Sequence, residues 1–236
     1  MNTSDWQQAL RSLLKKSEII DDAAALLIDQ RRRYTGQADM VLQPDSVSSV
    51  QAIMKFCHEQ HIAVTPQGGN TGLCGAAVPK GGVLLNLSRL NRIRQLNLAD
   101  NAITVEAGCV LQAVQQAAAK ADRLFPLSLA SEGSCQIGGN IACNAGGVNV
   151  VRYGTMRDLI LGLEVVLPGG ELISHLQPLH KNTTGYDLRH LFIGSEGTLG
   201  VITAATLKLF ARPRTLELAW VGVDSIERAV ELLSLV

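Results

Sequence analysis

The sequence predicts a mixed fold of helices and sheets with a ligand site built from loops, on three observations. Residues 40–42, 46–60 and 62–64 read as strand, helix and strand, a unit that implies a small parallel sheet. Residues 93–98 and 102–106 alternate like strands, with Ala99-Asp100-Asn101 as the turn between them. Three glycine-rich stretches, residues 65–75, 130–147 and 193–200, lie at the ends of predicted strands.

Composition sets the bounds. The 236 residues suffice for one large domain or two small ones, and 47% hydrophobic content supplies a core. Lys+Arg and Asp+Glu stand at 21 each, which argues against a nucleic-acid or membrane surface, since both rely on clustered positive charge. No apolar run approaches the roughly 20 residues of a membrane span. The polar start lacks the apolar centre of a secretory signal, so a cytoplasmic chain is expected. Cys57, Cys74, Cys109, Cys135 and Cys143 are scattered and never spaced as CxxC, which indicates neither a disulfide frame nor a zinc knuckle.

Taken in order, residues 4–16 form an amphipathic helix with a Ser4/Gln7 capping box and Trp6, Leu10, Leu13 and Leu14 on one face. Arg31-Arg32-Arg33 reads as a solvated face. In the helix at 46–60, Val47, Val50, Ile53, Met54 and Cys57 point inward. Residues 83–87 are a strand. The alanine-rich helix at 110–121 turns Leu111, Val114 and Ala118 inward. Residues 159–167 are an apolar strand, Pro168-Gly169-Gly170 a turn, and Glu171-Leu172-Ile173 the returning strand. A short helix at 187–192 precedes the third glycine-rich stretch, which runs into a strand at 201–210. Arg212-Pro213-Arg214 reads as a linker, 216–223 as a strand and 225–236 as a helix with Ile226, Ala229, Val230 and Leu233 on one side. This last unit cannot bury its own apolar face and reads as the start of a second domain, the alternative being that it docks on the first domain or on another subunit.

The glycine-rich stretches carry the functional signal. Residues 65–75 follow a strand, as phosphate-binding turns do, but match neither GxxxxGK[ST] nor GxGxxG. Successive small residues can still aim N–H groups into an anion-binding concavity without a helix. Residues 130–147 contain five glycines, almost no bulk, no proline and two asparagines that could donate. One such loop is an accident of packing as readily as a site. Three suggest one extended ligand held by main-chain donors, and a dinucleotide has the right length and acceptors.

From Tyr34 to Pro213 the chain resembles the FAD-linked oxidoreductases of the vanillyl-alcohol-oxidase type, with a PCMH-type FAD-binding domain. The motifs are Pro66-Gln67-Gly68-Gly69-Asn70-Thr71-Gly72, Gly133-Ser134-Cys135-Gln136-Ile137-Gly138-Gly139-Asn140, Asn144-Ala145-Gly146-Gly147, Arg152-Tyr153-Gly154 and Thr184-Gly185-Tyr186-Asp187-Leu188. The last is Leu191-Phe192-Ile193-Gly194-Ser195-Glu196-Gly197-Thr198-Leu199-Gly200. Within the family the text is most similar to the D-2-hydroxyglutarate dehydrogenase and D-lactate dehydrogenase branch. Cys143, Gly169 and Asn182-Thr183 depart from the usual pattern of relatives.

The resemblance implies an α+β fold, a small parallel sheet and a larger antiparallel one, with two subdomains clasping FAD. It implies a division into an N-terminal helical segment (1–33), the FAD-binding domain (34–213) and the first β–α unit of a truncated α/β substrate or cap domain (214–236). It puts Gln67, Gly68, Gly69, Asn70 and Thr71 at the diphosphate, with Pro66 and Gly72 beside them. Gly133, Ser134, Gly138, Asn140 and Asn144 follow the diphosphate towards the flavin, with Ile137, Gly139, Ala142 and Gly146 in the same stretch. Glu196, Gly197 and Ile202 stand beside the cofactor. Asn70 occupies the position of the histidine that some relatives join to flavin, so FAD is expected to be non-covalent.

The implied activity is FAD-dependent oxidation of a D-2-hydroxy acid, such as D-2-hydroxyglutarate or D-lactate, to the 2-oxo acid by hydride transfer to flavin N5. The implied partners are that small molecule and an electron acceptor (a quinone, an electron-transfer flavoprotein or a cytochrome), and a homodimer is allowed. The alternative is an FAD-binding module that is inactive without a separate C-terminal substrate domain. No catalytic residue is assigned within the chain and no metal site is expected. His58 and His61 sit three apart in His-Glu-Gln-His, which is not HExxH, and His175, His180 and His190 have no carboxylate or cysteine cluster around them. The peptidoglycan-precursor reductases share the FAD fold, but their motifs differ from the TGYDL and SEGTLG series.

Overall fold

The structure is a computed structural model and describes residues 3–235. It opens with helix α1 (Thr3–Ser12), which buries Trp6 and Leu10 in the main core. Leu13 is exposed, because the helix ends one residue earlier and leaves it on a turn. The expected Ser4/Gln7 capping box involves a side chain outside the described residues, that of Ser4. Gln7 donates from Nε2 to the Asp39 carbonyl at 2.6 Å.

Strand β1 (Met40–Leu42), helix α2 (Val47–Glu59), strand β2 (Val64–Gln67) and strand β3 (Val83–Asn86) make the first subdomain. Ser46 caps α2 by accepting the Ser49 N–H at 3.2 Å, and Val50, Ile53, Met54 and Cys57 are buried at the 3.6-residue spacing. The three strands pair in parallel in the order β1-β3-β2. The strand expected at 62–64 begins two residues later and runs into the glycine-rich stretch. Its register explains the shift, since Val64 pairs with Val83 and Gln67 with Asn86.

The second subdomain holds β4 (Ile93–Asn97), β5 (Ala102–Glu106), helix α3 (Leu111–Lys120), β6 (Arg123–Leu124), helices α4 (Ile137–Ala142), α5 (Val150–Tyr153) and α6 (Met156–Leu159), β7 (Ile160–Val166), β8 (Leu172–His175), helix α7 (Arg189–Phe192), β9 (Val201–Lys208) and β10 (Phe210–Ala211). Its five-stranded antiparallel sheet has the order β4-β5-β9-β7-β8, and β6 pairs with β10 beside it. Leu159, expected to open the apolar strand, instead closes α6, where a Thr155/Asp158 capping box starts the turn.

Alternation along these strands gives the sheet two unlike faces. Ile103, Val105, Leu163 and Val165 join the main core. The opposite face brings Glu106, Ala204 and Glu164 into register across three strands. There Glu106 takes Arg92 at 3.0 Å and Arg94 at 3.2 Å, and Arg94 reaches Glu164 at 3.0 Å. Thr203 Oγ1 also donates to Glu164 Oε1 at 2.9 Å, so the buried carboxylates are paired and hydrogen-bonded. Burial works to raise the Glu106 carboxyl, but the hydrogen bonds from Arg92 and Arg94 outweigh it and hold it below the usual range.

Helix α8 (Ile226–Leu235) follows an irregular segment. The strand expected at 216–223 does not form. Its pattern is that of a strand, but a strand needs a hydrogen-bonding neighbour, and Leu216, Leu218 and Trp220 are exposed instead. Among the described residues, no helix is long and apolar enough to cross a membrane.

Candidate functional site

A cavity of about 420 Å³ opens beyond the C-terminal end of β2, where parallel strands commonly present ligand loops. Three segments wall it: the loop leaving β2, the stretch that leads into and out of α4, and the loop that enters β9. They are the three glycine-rich stretches, brought together from distant parts of the chain.

Close packing between the loops explains part of their composition. A Cβ on Gly69 would fall inside the van der Waals shell of the Ser134 carbonyl oxygen, so the first loop touches the second there. Gly197 has φ +80°, which glycine adopts without strain, and a Cβ on it would lie 3.0 Å from Pro66 Cγ. The third loop is further tied to α4, because Gly194 N–H donates to Ile141 O at 3.1 Å and Glu196 N–H to Ala142 O at 2.9 Å. In contrast, Gly72 and Gly139 face open space with nothing within 4 Å of a Cβ.

Helix α4 lies inside a stretch that reads as a loop in the sequence. Gly138 and Gly139 lower its intrinsic propensity, and tertiary bonds make up for it. Ile137 N–H donates to Cys109 O at 2.9 Å and Gly138 N–H to Ala107 O at 2.7 Å, which fixes the first turn on the strand layer.

The cavity's polar character comes from the main chain. The N–H groups of Gly68, Gly69, Asn70, Thr71 and Gly72 donate to no acceptor among the described residues, and neither does that of Gly139. Among the described residues, no lysine, arginine or histidine lines the cavity, and its only titratable lining residues are Glu196, Cys74 and Cys143. Such a wall suits an anion that is satisfied by several neutral donors.

Of the residues singled out by sequence, Pro66, Gln67, Gly68, Gly69, Asn70, Thr71, Gly72, Gly138, Gly139, Asn140, Ala142, Glu196, Gly197 and Ile202 line this cavity. Gly133, Ser134, Ile137, Asn144 and Gly146 do not. Ile137 is fully buried in the core, Ser134 presents its carbonyl to Gly69, and Asn144 Oδ1 accepts the Arg157 N–H at 3.0 Å. The amides expected to serve as donors are largely engaged by the protein. Gln67 donates to Leu26 O and Ala77 O at 2.9 and 3.0 Å, Asn70 to Ile28 O at 2.8 Å, and Asn140 to Cys135 Sγ at 3.5 Å. They hold the loops in shape.

The sequence reading missed Leu73, Cys74, Ala107, Leu129, Gln136 and Cys143 as lining residues. Gln136 and Cys143 lie within the second glycine-rich stretch and were open to inclusion. Ala107 and Leu129 belong to no motif, and only the fold brings them to the wall.

Comparisons with known proteins identify the family and the fold. Residues 38–175 match the family model described as FAD binding domain. The chain is 40% identical to the D-2-hydroxyglutarate–pyruvate transhydrogenase of Saccharomyces cerevisiae, over 94% of this chain and 46% of that protein. It is 46% identical to a D-2-hydroxyglutarate dehydrogenase of Xanthomonas citri, over 88% of this chain and 44% of the relative. The mitochondrial D-2-hydroxyglutarate dehydrogenase of Danio rerio is 42% identical, over 86% of this chain and 38% of its own length. The chain thus spans less than half the length of these curated relatives. A solved structure of alkyldihydroxyacetonephosphate synthase superposes with a TM-score of 0.79 at 21% identity, over 91% of this chain and 42% of that one, and shares the fold.

The cytoplasmic placement expected from the polar N-terminus is overturned. The relatives from Danio rerio, Bos taurus and Schizosaccharomyces pombe are named mitochondrial. The absence of an apolar secretory centre could not have decided this, because mitochondrial leaders are amphipathic and arginine-rich. Fold, loop arrangement and family match agree, and the chain belongs to the FAD binding domain family.

Proposed function

We propose that this chain is the flavin-holding half of an FAD-dependent dehydrogenase acting on a D-2-hydroxy acid such as D-2-hydroxyglutarate or D-lactate. The observation that carries the reading is the row of unpaired N–H groups on Gly68, Gly69, Asn70, Thr71 and Gly72, residues that line a cavity with no basic side chain among its described lining. FAD fits these residues. The free donors suit its diphosphate, and Gly72 and Gly139 leave room where a side chain would intrude.

In this reading Gln67 and Asn70 shape the diphosphate loop through their bonds to the 24–34 segment. Gly138 and Asn140 line the way to the flavin, and Glu196, Gly197 and Ile202 stand beside it. Asn70 presents a carboxamide already bonded to Ile28 O, so no ring nitrogen is available there and FAD is held non-covalently. Bound FAD supplies a two-electron acceptor for the hydride that leaves the substrate Cα.

The base that takes the hydroxyl proton is not evident among the cavity-lining residues, whose only carboxylate is Glu196. This favours a division of labour in which residues 214–236 begin a second domain that supplies the substrate site, with residues 1–33 packed on the FAD-binding domain at 34–213. The exposed Leu216, Leu218 and Trp220 support it, as does the greater length of the relatives. The electron acceptor proposed is a quinone, an electron-transfer flavoprotein, a cytochrome or, following the name of the yeast relative, a 2-oxo acid such as pyruvate.

Anaerobic addition of D-2-hydroxyglutarate or D-lactate tests the reading. Flavin bound to a protein of the relatives' length should bleach, and flavin bound to this chain alone should not. Failure of both acids to bleach the longer protein would rule out the substrate class.

Thiol labelling gives a further expected result. Burial pushes Cys57 up to about 12 and Cys109 up to about 11, whereas Cys74 and Cys143 are exposed on the cavity wall. Burial and then Glu196 raise Cys143, so Cys143 should react more slowly than an ordinary exposed thiol. Saturating FAD should slow labelling of both cavity thiols, read by peptide mass. Equal rates with and without FAD would place the cofactor elsewhere.

A further inference from the structure

Part of the cavity wall is made where Ala142, Cys143 and Ala145 of the second glycine-rich stretch meet Glu196 and Gly197 of the third. Arg157 on α6 is outside that lining, yet it is bonded to both stretches.

Its main chain holds the second stretch. Arg157 N–H donates to Asn144 Oδ1 at 3.0 Å, and Met156 N–H beside it donates to Ala145 O at 2.9 Å. Asn144 stands at φ +49°, in the left-handed region that asparagine enters more readily than most residues, and the bond to Arg157 holds it there. The guanidinium group reaches the other way. Its Nη2 donates to Ile193 O at 2.6 Å and its Nη1 to His190 O at 3.0 Å. Both carbonyls lie at the C-terminal end of α7, where helix carbonyls lack partners within the helix. A Cβ on Gly194 would lie 3.5 Å from Asn144 Cβ and 3.6 Å from Arg157 Nη2, so the start of the third stretch sits between the two ends of this clamp. Arginine suits the place, because its fork aims separate donors at separate acceptors and a lysine ammonium on a flexible stem does not.

A third acceptor sets a condition. Arg157 Nη1 also lies 2.9 Å from His190 Nδ1. A guanidinium only donates, so this contact is a hydrogen bond only while Nδ1 carries no proton and accepts. On the far side of the ring His190 Nε2 is 3.4 Å from Asp187 Oδ2, and Asp187 is itself paired with Arg189. The charged groups about the ring are therefore Arg157 from α6 and, from its own segment, Asp187 with its partner Arg189. A proton added at Nδ1 sets two donors against each other and breaks the contact with Arg157.

We infer that Arg157 is a positioning residue of the flavin site, clamping the second and third glycine-rich stretches at a fixed separation, and that the clamp is complete only while His190 is neutral. The inference rests on the FAD reading and adds two residues, Arg157 and His190, that none of the motifs contains.

The test titrates FAD into the wild-type chain, Arg157→Lys and His190→Asn from about pH 8 to about pH 5.5, the range in which a histidine changes charge. Wild-type affinity should fall about threefold as the pH drops, the modest worth of one hydrogen bond, since Arg157 keeps its two carbonyls. His190→Asn sets a carboxamide oxygen near the place of Nδ1 and does not titrate, so its affinity should stay level over the same range. Arg157→Lys should weaken FAD about tenfold at the upper pH. A merely structural arginine would not tie FAD affinity to the charge on His190, so the contrast between wild type and His190→Asn is the deciding readout. A wild-type affinity that is level, or that falls equally in His190→Asn, would overturn the inference, as would Arg157→Lys that binds FAD as the wild type does. If Arg157→Lys does not fold, the contrast with His190→Asn decides alone. A wild-type chain that binds no FAD at any pH would overturn the cofactor reading instead.

Discussion

Gly69→Ala should abolish high-affinity FAD binding. The added Cβ would press on the Ser134 carbonyl oxygen, which is main chain and cannot rotate away. To relieve it, the loop after β2 must separate from the stretch before α4, which moves the free N–H groups of residues 68–72 away from the cavity. Overpacking of this kind costs about 3 kcal/mol in a well-packed site. Most of that cost appears as lost affinity, expected at up to about a hundredfold, and the remainder as lower stability. Gly72→Ala is the matched control for stability alone, because no protein atom lies within 4 Å of its Cβ and ligand-free stability should change little. Melting curves with and without FAD, combined with flavin titration, read both effects.

Glu106→Gln should give the largest loss of stability outside the site. Glu106 is fully buried, and it accepts from Arg92 N–H at 2.9 Å as well as from the Arg92 and Arg94 guanidinium groups. The amide keeps the shape but turns an N–H donor towards the guanidinium groups. Breaking one partner of a buried pair commonly costs 3–5 kcal/mol, and about 2–3 kcal/mol is expected here because the Arg92 side chain is 73% exposed and screened. The sign with pH follows from the lowered carboxyl of folded Glu106. Its contribution is present above the unfolded carboxyl range and is lost as pH falls through the lower folded value. The gap between variant and wild type in urea unfolding should therefore be full at pH 7 and should close below about pH 4. A gap that stays constant to pH 3 would mean that the pairing is not what Glu106 contributes.

Residues whose pattern is local were legible in the sequence. Helix α2 shows five inward positions at helical spacing behind a serine cap, and β5 alternates cleanly after an Asx-rich turn, so both stand within a residue or two of their expected bounds. The three glycine-rich stretches were legible as candidates, because small residues and strand ends are both local features. What was illegible depended on partners far along the chain. Helix α4 contains two adjacent glycines and exists because Ala107 and Cys109 offer carbonyls to its first turn. The 216–223 segment has the composition of a strand and no ladder to join. The clamp at Arg157 joins Asn144 to His190 and Ile193, which no spacing rule reveals. Likewise the composition does not tell that Gly69 is small to admit a carbonyl while Gly139 is small to leave space.

The central claim is that main-chain donors of the loop after β2 and of Gly139, without basic side chains, hold FAD. Titration of FAD into the purified chain at increasing salt tests it most directly. One FAD per chain should bind, and the affinity should change by less than about twofold between roughly 0.05 and 0.5 M salt, since neutral donors at close range are little screened. No binding, or an affinity that falls steeply as salt rises, would contradict the account.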